Sequence, residues 1–294
     1  MSAAVTLAAQ KAAGGRGMVD VKRNVDQAFY DRFLCRIFSE QDGPFVLKGG
    51  ARMLAAVPNG RATKDVDLEA REHTLEAAIT NLTRLAGIDL GDFLVFTYTG
   101  HKDAGGANQP NIRAAAVKFD VSIVGVGKQS PLRVDLAMHP RPNATVMTSA
   151  PAFRLDIPEF KTFDYAMIAI EDQIADKICA IMSEYGVGGQ GSSRAKDLVD
   201  IVILALHQEI SAASLRQAIR AEAANRALPL FVSIDVPEAI RDGYSKLAST
   251  VTPVDGFRTW DAAATLVDLL IEPILSGRIV ECFWSPEQRT WLHS

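Results

Sequence analysis

Lys48-Gly49-Gly50, followed by Arg61-Ala62-Thr63-Lys64-Asp65-Val66-Asp67-Leu68, is the stretch that decides how this chain folds. Asp65 and Asp67 alternate with Val66 and Leu68. In a strand every second side chain shares a face. The two carboxylates therefore project together while Val66 and Leu68 enter a core. A pair of aimed carboxylates is what a divalent cation needs to clamp a polyphosphate. The glycine pair upstream lets backbone N–H groups approach phosphate oxygens. The combination points to nucleotidyl transfer.

Working outward, Phe45-Val46-Leu47 reads as a short buried strand, and residues 51–57 as a short helix ended by Pro58-Asn59-Gly60. Upstream, Val21, Val25, Phe29, Phe33, Leu34 and Ile37 recur at helical spacing across 19–39. Downstream, residues 74–86 carry an amphipathic helix with Leu75, Ala78, Ile79, Leu82 and Leu85 on one stripe. Residues 93–98, 112–124 and 132–138 read as strands, with a polar, Gly-containing hairpin loop at 102–111. The second half reads as helices at 165–185, 194–207, 214–226, 237–247 and 260–275, with a Gly-rich connector at 186–193. The expected organisation is an N-terminal segment and helix (1–42), a core (43–155) and a helical C-terminal domain (156–294).

Asp135 supplies a third acid. In Leu132-Arg133-Val134-Asp135-Leu136 it alternates with apolar neighbours, so its side chain leaves the core face as those of Asp65 and Asp67 do. Three acids on neighbouring strands can hold two Mg2+ ions. One would orient a triphosphate, and the other would lower the pKa of the attacking hydroxyl. Lys48 ends its strand, and free N–H groups at the helix start after Gly49-Gly50 favour phosphate. Lys177 adjoins the apolar stripe Ile170, Ile174, Ile178 and Ile181 and could reach across a cleft. The alternative is a solvated lysine paired with Glu171 or Asp176. In Arg194-Ala195-Lys196-Asp197-Leu198-Val199-Asp200-Ile201, Arg194 and Asp197 fall close together, and Lys196 lies i,i+4 from Asp200. The alternative there is a surface charge ladder.

The bulk properties are those of a globular protein: 294 residues, 48% hydrophobic and 22% charged. The formal net charge of -4 provides no overall basic field for nucleic acid, so any RNA contact needs a local patch. Arg52, Arg61, Lys64, Lys118 and Arg133 are candidates. Cys35, Cys179 and Cys282 lie far apart, are odd in number and lack metal-ligand spacing. They read as reduced thiols of a cytoplasmic protein. No segment approaches the roughly 18 consecutive apolar residues of a membrane span. At the N-terminus Lys11 and Arg16 follow the apolar stretch, the wrong order for a secretory signal. A disordered or loosely helical N-terminus is expected there.

Together these motifs resemble the AbiEii/AbiGii family of nucleotidyltransferase toxins, nearest to its MenT-like members. The family pattern Lys-Gly-Gly, then Arg-x-Ser/Thr-x-Asp-x-Asp, appears as Lys48-Gly49-Gly50 and Arg61 to Asp67. The helix core Ala/Glu-x-Lys-Ile/Leu-x-Ala has its counterpart in Asp176-Lys177-Ile178-Cys179-Ala180. Arg-x-Lys/His-Asp-Leu-x-Asp appears as Arg194 to Asp200. The resemblance covers residues 45–206. It implies an α+β fold, with a DNA polymerase β-like nucleotidyltransferase core (a mixed sheet with helices) plus a helical C-terminal domain. It implies a toxin that uses a nucleoside triphosphate and Mg2+, and a separately encoded antitoxin. In MenT-like members the target is the 3′ end of tRNA, and the modification blocks translation.

By position, the resemblance makes Asp65 and Asp67 catalytic metal ligands; Asp135 joins them on the strand alternation described above. Lys48, Gly49, Gly50, Arg61, Thr63 and Lys177 would bind the nucleotide, and Asp197 would complete the site. Thr63 is either a phosphate contact or a modifiable hydroxyl. Ala51 departs from the Ser or Thr of many relatives, so phosphate contacts there would come from backbone N–H groups alone. Two alternatives remain: a protein hydroxyl or small molecule as acceptor, and an inactive nucleotide-binding homologue.

Overall fold

The computed structural model describes residues 2–13, 18–57, 60, 63, 65–104, 113–138, 144–185, 190–191 and 194–293. The chain opens with α1 (Ser2–Ala13) and α2 (Met18–Ile37), then β1 (Phe45–Lys48), α3 (Gly49–Ala56), β2 (Val66–Ala70) and α4 (Leu75–Ala86). Next come β3 (Leu94–Asp103), β4 (Arg113–Ile123), β5 (Gly127–Lys128), β6 (Leu132–Met138), β7 (Val146–Ser149) and β8 (Tyr165–Ile168). The remainder is α5 (Ile170–Met182), β9 (Glu184–Tyr185), β10 (Gln190–Gly191), α6 (Ala195–His207), β11 (Ile210–Ser211) and α7 (Ala212–Asn225). It ends with α8 (Glu238–Ala248), α9 (Trp260–Leu275), β12 (Cys282–Ser285) and β13 (Thr290–His293).

The main sheet is mixed, in the order β3-β4-β6-β2-β1-β8-β7, with β5 hydrogen-bonded to β4. β2 is antiparallel to β1 and parallel to β6. One face of this sheet is covered. Phe33, Leu34, Leu82 and Leu85 of α2 and α4 pack against Leu68, Val117, Phe119, Val134 and Leu136 in one core. Just before β3, Asp92 takes two bonds from Arg36 (2.6 and 2.9 Å), which pins α2 to the sheet through a buried ion pair. A second core gathers α5, α6, α7 and α9 around Ile174, Ile178, Ile201, Leu215, Leu270 and Trp284. The helix after the glycine turn joins the two: Ala51 and Leu54 belong to the first core, Met53 and Val57 to the second.

The structure differs from the sequence expectation in several places. Residues 165–168 are not the start of a long helix. They form β8, inserted between β1 and β7, with Leu47 opposite Met167. The sheet's backbone partners outweigh the local helical pattern here, and Tyr165 and Met167 are buried. The sheet therefore runs past residue 155, the expected edge of the core. Of the two expectations for the N-terminus, disordered or loosely helical, the described part takes the helical one, and packs: Val5, Ala9 and Ala13 of α1 are buried, and Asn24 Nδ2 donates to Ala9 O at 3.1 Å. The β12–β13 hairpin, joined to β11, had no signal in the motif reading. The expected breaker Pro58-Asn59, most of the 102–111 loop and most of the 186–193 connector lie outside the described residues. Among the described residues no helix is long and apolar enough to cross a membrane.

Candidate active site

The strand register assembles the site. Lys48 lies opposite Asp67 across β1 and β2, and Asp67 lies opposite Asp135 across β2 and β6. Directly opposed residues share a face, so one rung of the sheet reads Lys48, Asp67, Asp135. Val66 and Leu68 are fully buried on the other face, as the alternation requires. Asp65, just before β2, adds its charge to the same cluster and raises the pKa of Asp135.

The glycines are there because the acid strand crosses them closely. Gly49 has φ +62°, and a Cβ on it would lie 2.0 Å from Asp67 Oδ2. Gly50 N–H donates to that same oxygen at 3.0 Å. A Cβ on Gly50 would meet Thr63 Oγ1 at 2.6 Å. Thr63 Oγ1 in turn donates to Asp65 O at 2.9 Å. The Gly50 N–H that the sequence assigned to phosphate thus holds the Asp67 carboxylate in this structure.

The electrostatics suit a cation. Burial pushes the Asp67 carboxyl up, against the Gly50 N–H and the charges of Lys48, Lys177 and Lys196. Burial, then repulsion from Asp67 and Asp65, pushes Asp135 up, against Arg133 and Lys196. Asp67 and Asp135 are hard oxygen donors side by side, the ligand type Mg2+ takes. Among the described residues no three acidic, His or Cys side chains form a ready-made metal cage. Mg2+ rarely uses one; it is held by one or two carboxylates together with substrate phosphates and water. The donor set fits.

Lys177 is buried rather than solvated. Its Nζ lies 2.7 Å from Asp200 Oδ2 and 3.3 Å from Asp197 Oδ1. Arg194 Nε adds a contact to Asp197 Oδ2 at 2.7 Å. Burial alone would pull the Lys177 pKa down, but Asp200 and Asp197 outweigh it and the lysine is held charged. The expected alternative partners are engaged elsewhere: Asp176 pairs with Arg226 at 2.6 Å, and Glu171 accepts from Ser211 N–H at 2.8 Å. Lys196 does not pair with Asp200; it is exposed and contributes to the field at Asp67 and Asp135. The Arg194–Asp200 segment is therefore no surface charge ladder, since Asp197 and Asp200 are both buried.

The register and these fields bring together Lys48, Gly49, Gly50, Thr63, Asp65, Asp67, Asp135 and Lys177, with Asp197 behind Lys177. Arg61 and Lys64 lie outside the described residues. Arg52 is a structural residue and no surface cation. It is buried, its Nε donates to Ile168 O at 2.7 Å, and burial lowers its pKa to about 10. Three further residues belong to the site. Gln173, buried on α5, donates from Nε2 to Gly49 O at 3.4 Å, and its Oε1 has no hydrogen-bond partner among the described residues. Asp200 and Lys196 read as an i,i+4 pair in the sequence, whereas Asp200 takes Lys177 and Lys196 adds its charge at the acids. The available signal was polar residues spaced three apart within an apolar helix.

A protein-family model described as "Nucleotidyl transferase AbiEii toxin, Type IV TA system" matches residues 32–265. No curated protein matches the chain. Among solved structures, the chain is similar to JHP933 from Helicobacter pylori, with 14% identity, 87% of this chain and 94% of that chain covered, and a TM-score of 0.48. A nucleotidyltransferase candidate from H. pylori gives 14% identity, coverage of 87% and 98%, and a TM-score of 0.48.

Proposed function

Because the chain belongs to the AbiEii family of nucleotidyl transferase toxins of type IV toxin–antitoxin systems, we propose that it moves a nucleotide from a nucleoside triphosphate onto the 3′ end of tRNA, with Mg2+, and so blocks translation. A cognate antitoxin would hold it in check, and its place of action is the cytoplasm. The reading includes a DNA polymerase β-like core and a helical C-terminal domain. The core begins near residue 43 and is carried past 155 to Ile168, because β8 lies in the same sheet. The observation that carries the proposal is the rung Lys48, Asp67, Asp135 beside the glycine turn.

Asp65, Asp67 and Asp135 would hold Mg2+. When bound, Mg2+ neutralises phosphate charge and lowers the pKa of the attacking hydroxyl. Gly50 N–H fixes the Asp67 carboxylate before substrate arrives, so little reorganisation remains for the reaction. Lys48 and Lys177 set a positive potential at Asp67 that equally favours a triphosphate. Asp197 and Asp200 keep Lys177 protonated and aimed, and Arg194 steadies Asp197. Gln173 ties α5 to the turn through Gly49 O, so the lysine helix and the glycine turn move as one.

The test is label transfer from each of the four nucleoside triphosphates to total tRNA with Mg2+. Wild type should label RNA, and Asp65→Ala should lose the transfer while keeping its circular dichroism spectrum. Label appearing only in protein would replace tRNA with a protein hydroxyl acceptor. No label in any macromolecule would end the transfer reading.

A further inference from the structure

Among the described residues, the face of the sheet opposite the helices is left open over β3, β4 and β6. The rung that holds Asp67 and Asp135 continues across it: Asp135 opposes Ala116, and Ala116 opposes Lys102. The next rung runs Arg133, Lys118, Gly100. Arg133, Lys118 and Lys102 are all exposed. None of the three side chains forms a hydrogen bond or ion pair with another described residue, whereas the neighbouring Lys128 is paired with Asp120 at 3.0 Å. Between these cations the floor is low, because Ala116 and Gly100 carry little or no side chain. The three cations spread over about 10 Å, two strand spacings, starting at the acids.

We propose that this open face is the bed for the acceptor: a few nucleotides of single-stranded RNA ending at Asp135, with Arg133, Lys118 and Lys102 on its phosphates. The inference rests on the transfer reading of the acids and adds the path the acceptor takes. Several physical reasons favour a nucleic acid strand over a protein segment. The chain's net charge is -4, so unpaired cations concentrated beside the acids mark a local polyanion site. No aromatic residue lies on the two rungs described, so bases gain no stacking platform and recognition is through phosphate charge. A footprint this short suits one strand, and an exposed 3′ hydroxyl must reach the metal acids at one end of it. Arg133 links the two functions, since its charge also acts on Asp135.

The charge count sets the size of the effect. For single strands the slope of log affinity against log salt is about −0.7 per phosphate neutralised, so three contacts contribute about −2. Raising salt from about 50 to 200 mM should then cost about 20-fold in affinity through these residues. The experiment is fluorescence anisotropy of a labelled ten-nucleotide single-stranded RNA with a free 3′ hydroxyl. It compares wild type with Lys102→Gln/Lys118→Gln, which leaves Arg133 and its charge on Asp135 in place, and with the triple variant that adds Arg133→Gln. Binding of Mg2+ and nucleoside triphosphate is measured in parallel by calorimetry. The expected result is a salt slope shallower by about 1.4 in the double variant and about 2 in the triple variant, with triphosphate binding and thermal midpoint unchanged in the double variant and little dependence on base sequence. An unchanged slope, no binding of the RNA by wild type, or tighter binding of a blunt duplex would overturn the proposal. Failure of the transfer reading would look different: wild type would bind the RNA through these cations but bind no triphosphate.

Discussion

Replacing Gly49 by alanine tests the site geometry most directly. Gly49 sits at φ +62°, where an L-residue costs about 1–2 kcal/mol. Its new Cβ would fall 2.0 Å from Asp67 Oδ2, so the carboxylate must move. Moving it breaks the 3.0 Å bond from Gly50 N–H, a bond to a charged group worth about 1.5–3 kcal/mol. The reduced freedom of the unfolded chain returns about 0.4–1 kcal/mol. The net loss is about 2–4 kcal/mol, equivalent to a thermal midpoint lower by about 3–7 °C for a chain of this size. Gly91 is the internal control: it too has positive φ (+72°), but nothing lies within 4 Å of a Cβ placed there. Gly91→Ala should therefore cost about 1 kcal/mol or less, because the strain is partly offset by the unfolded-state term. Scanning calorimetry of both variants isolates the Asp67 contribution. Transfer by Gly49→Ala should fall about 100-fold, since a shift of about 1 Å in a catalytic group has that effect. Equal midpoints for the two variants, with transfer intact in Gly49→Ala, would refute the view that this glycine exists to seat Asp67.

Two further outcomes follow from the charges. Asp135 has its pKa raised above 3.8 by burial and by Asp67 and Asp65, so its contribution to stability is full below that pH and declines as the pH rises above it. Asp135→Asn should accordingly raise the metal-free thermal midpoint at pH 7, the gain shrinking toward pH 4, while abolishing Mg2+-dependent transfer; a lower midpoint at pH 7 would contradict the clustering. Lys177→Met should leave Asp197 and Asp200 buried without their cation, at a cost of about 3–5 kcal/mol in urea unfolding, and Lys177→Met/Asp200→Asn should recover part of it. Additive losses in the double variant would show that the lysine and the acid do not interact.

Much of this protein is legible along the chain because its logic is local. The alternation in Asp65-Val66-Asp67-Leu68 defines a half-buried strand, and the stripe from Leu75 to Leu85 defines α4, whose Thr74 caps it by accepting from Ala77 N–H at 3.1 Å. Tyr165–Ile168 reads as helix from the sequence but is strand, because four residues of mixed apolar character have no period of their own and the edges of β1 and β7 decide for strand; packing is what settles such segments. The same holds for α1, whose small apolar residues gain burial only against α2.

Residue order alone determined the acids, the glycines, the lysine helix and the family, because strand and turn chemistry are written into neighbours a few positions apart. Partners far apart in the chain were beyond it. Lys177 is committed to Asp197 and Asp200, Arg52 is drawn inside to Ile168, and Lys102, Lys118 and Arg133 share a face with Asp135. These choices depend on which strands and helices come to lie side by side. A charge buried by that packing must find whatever opposite charge or carbonyl the packing delivers.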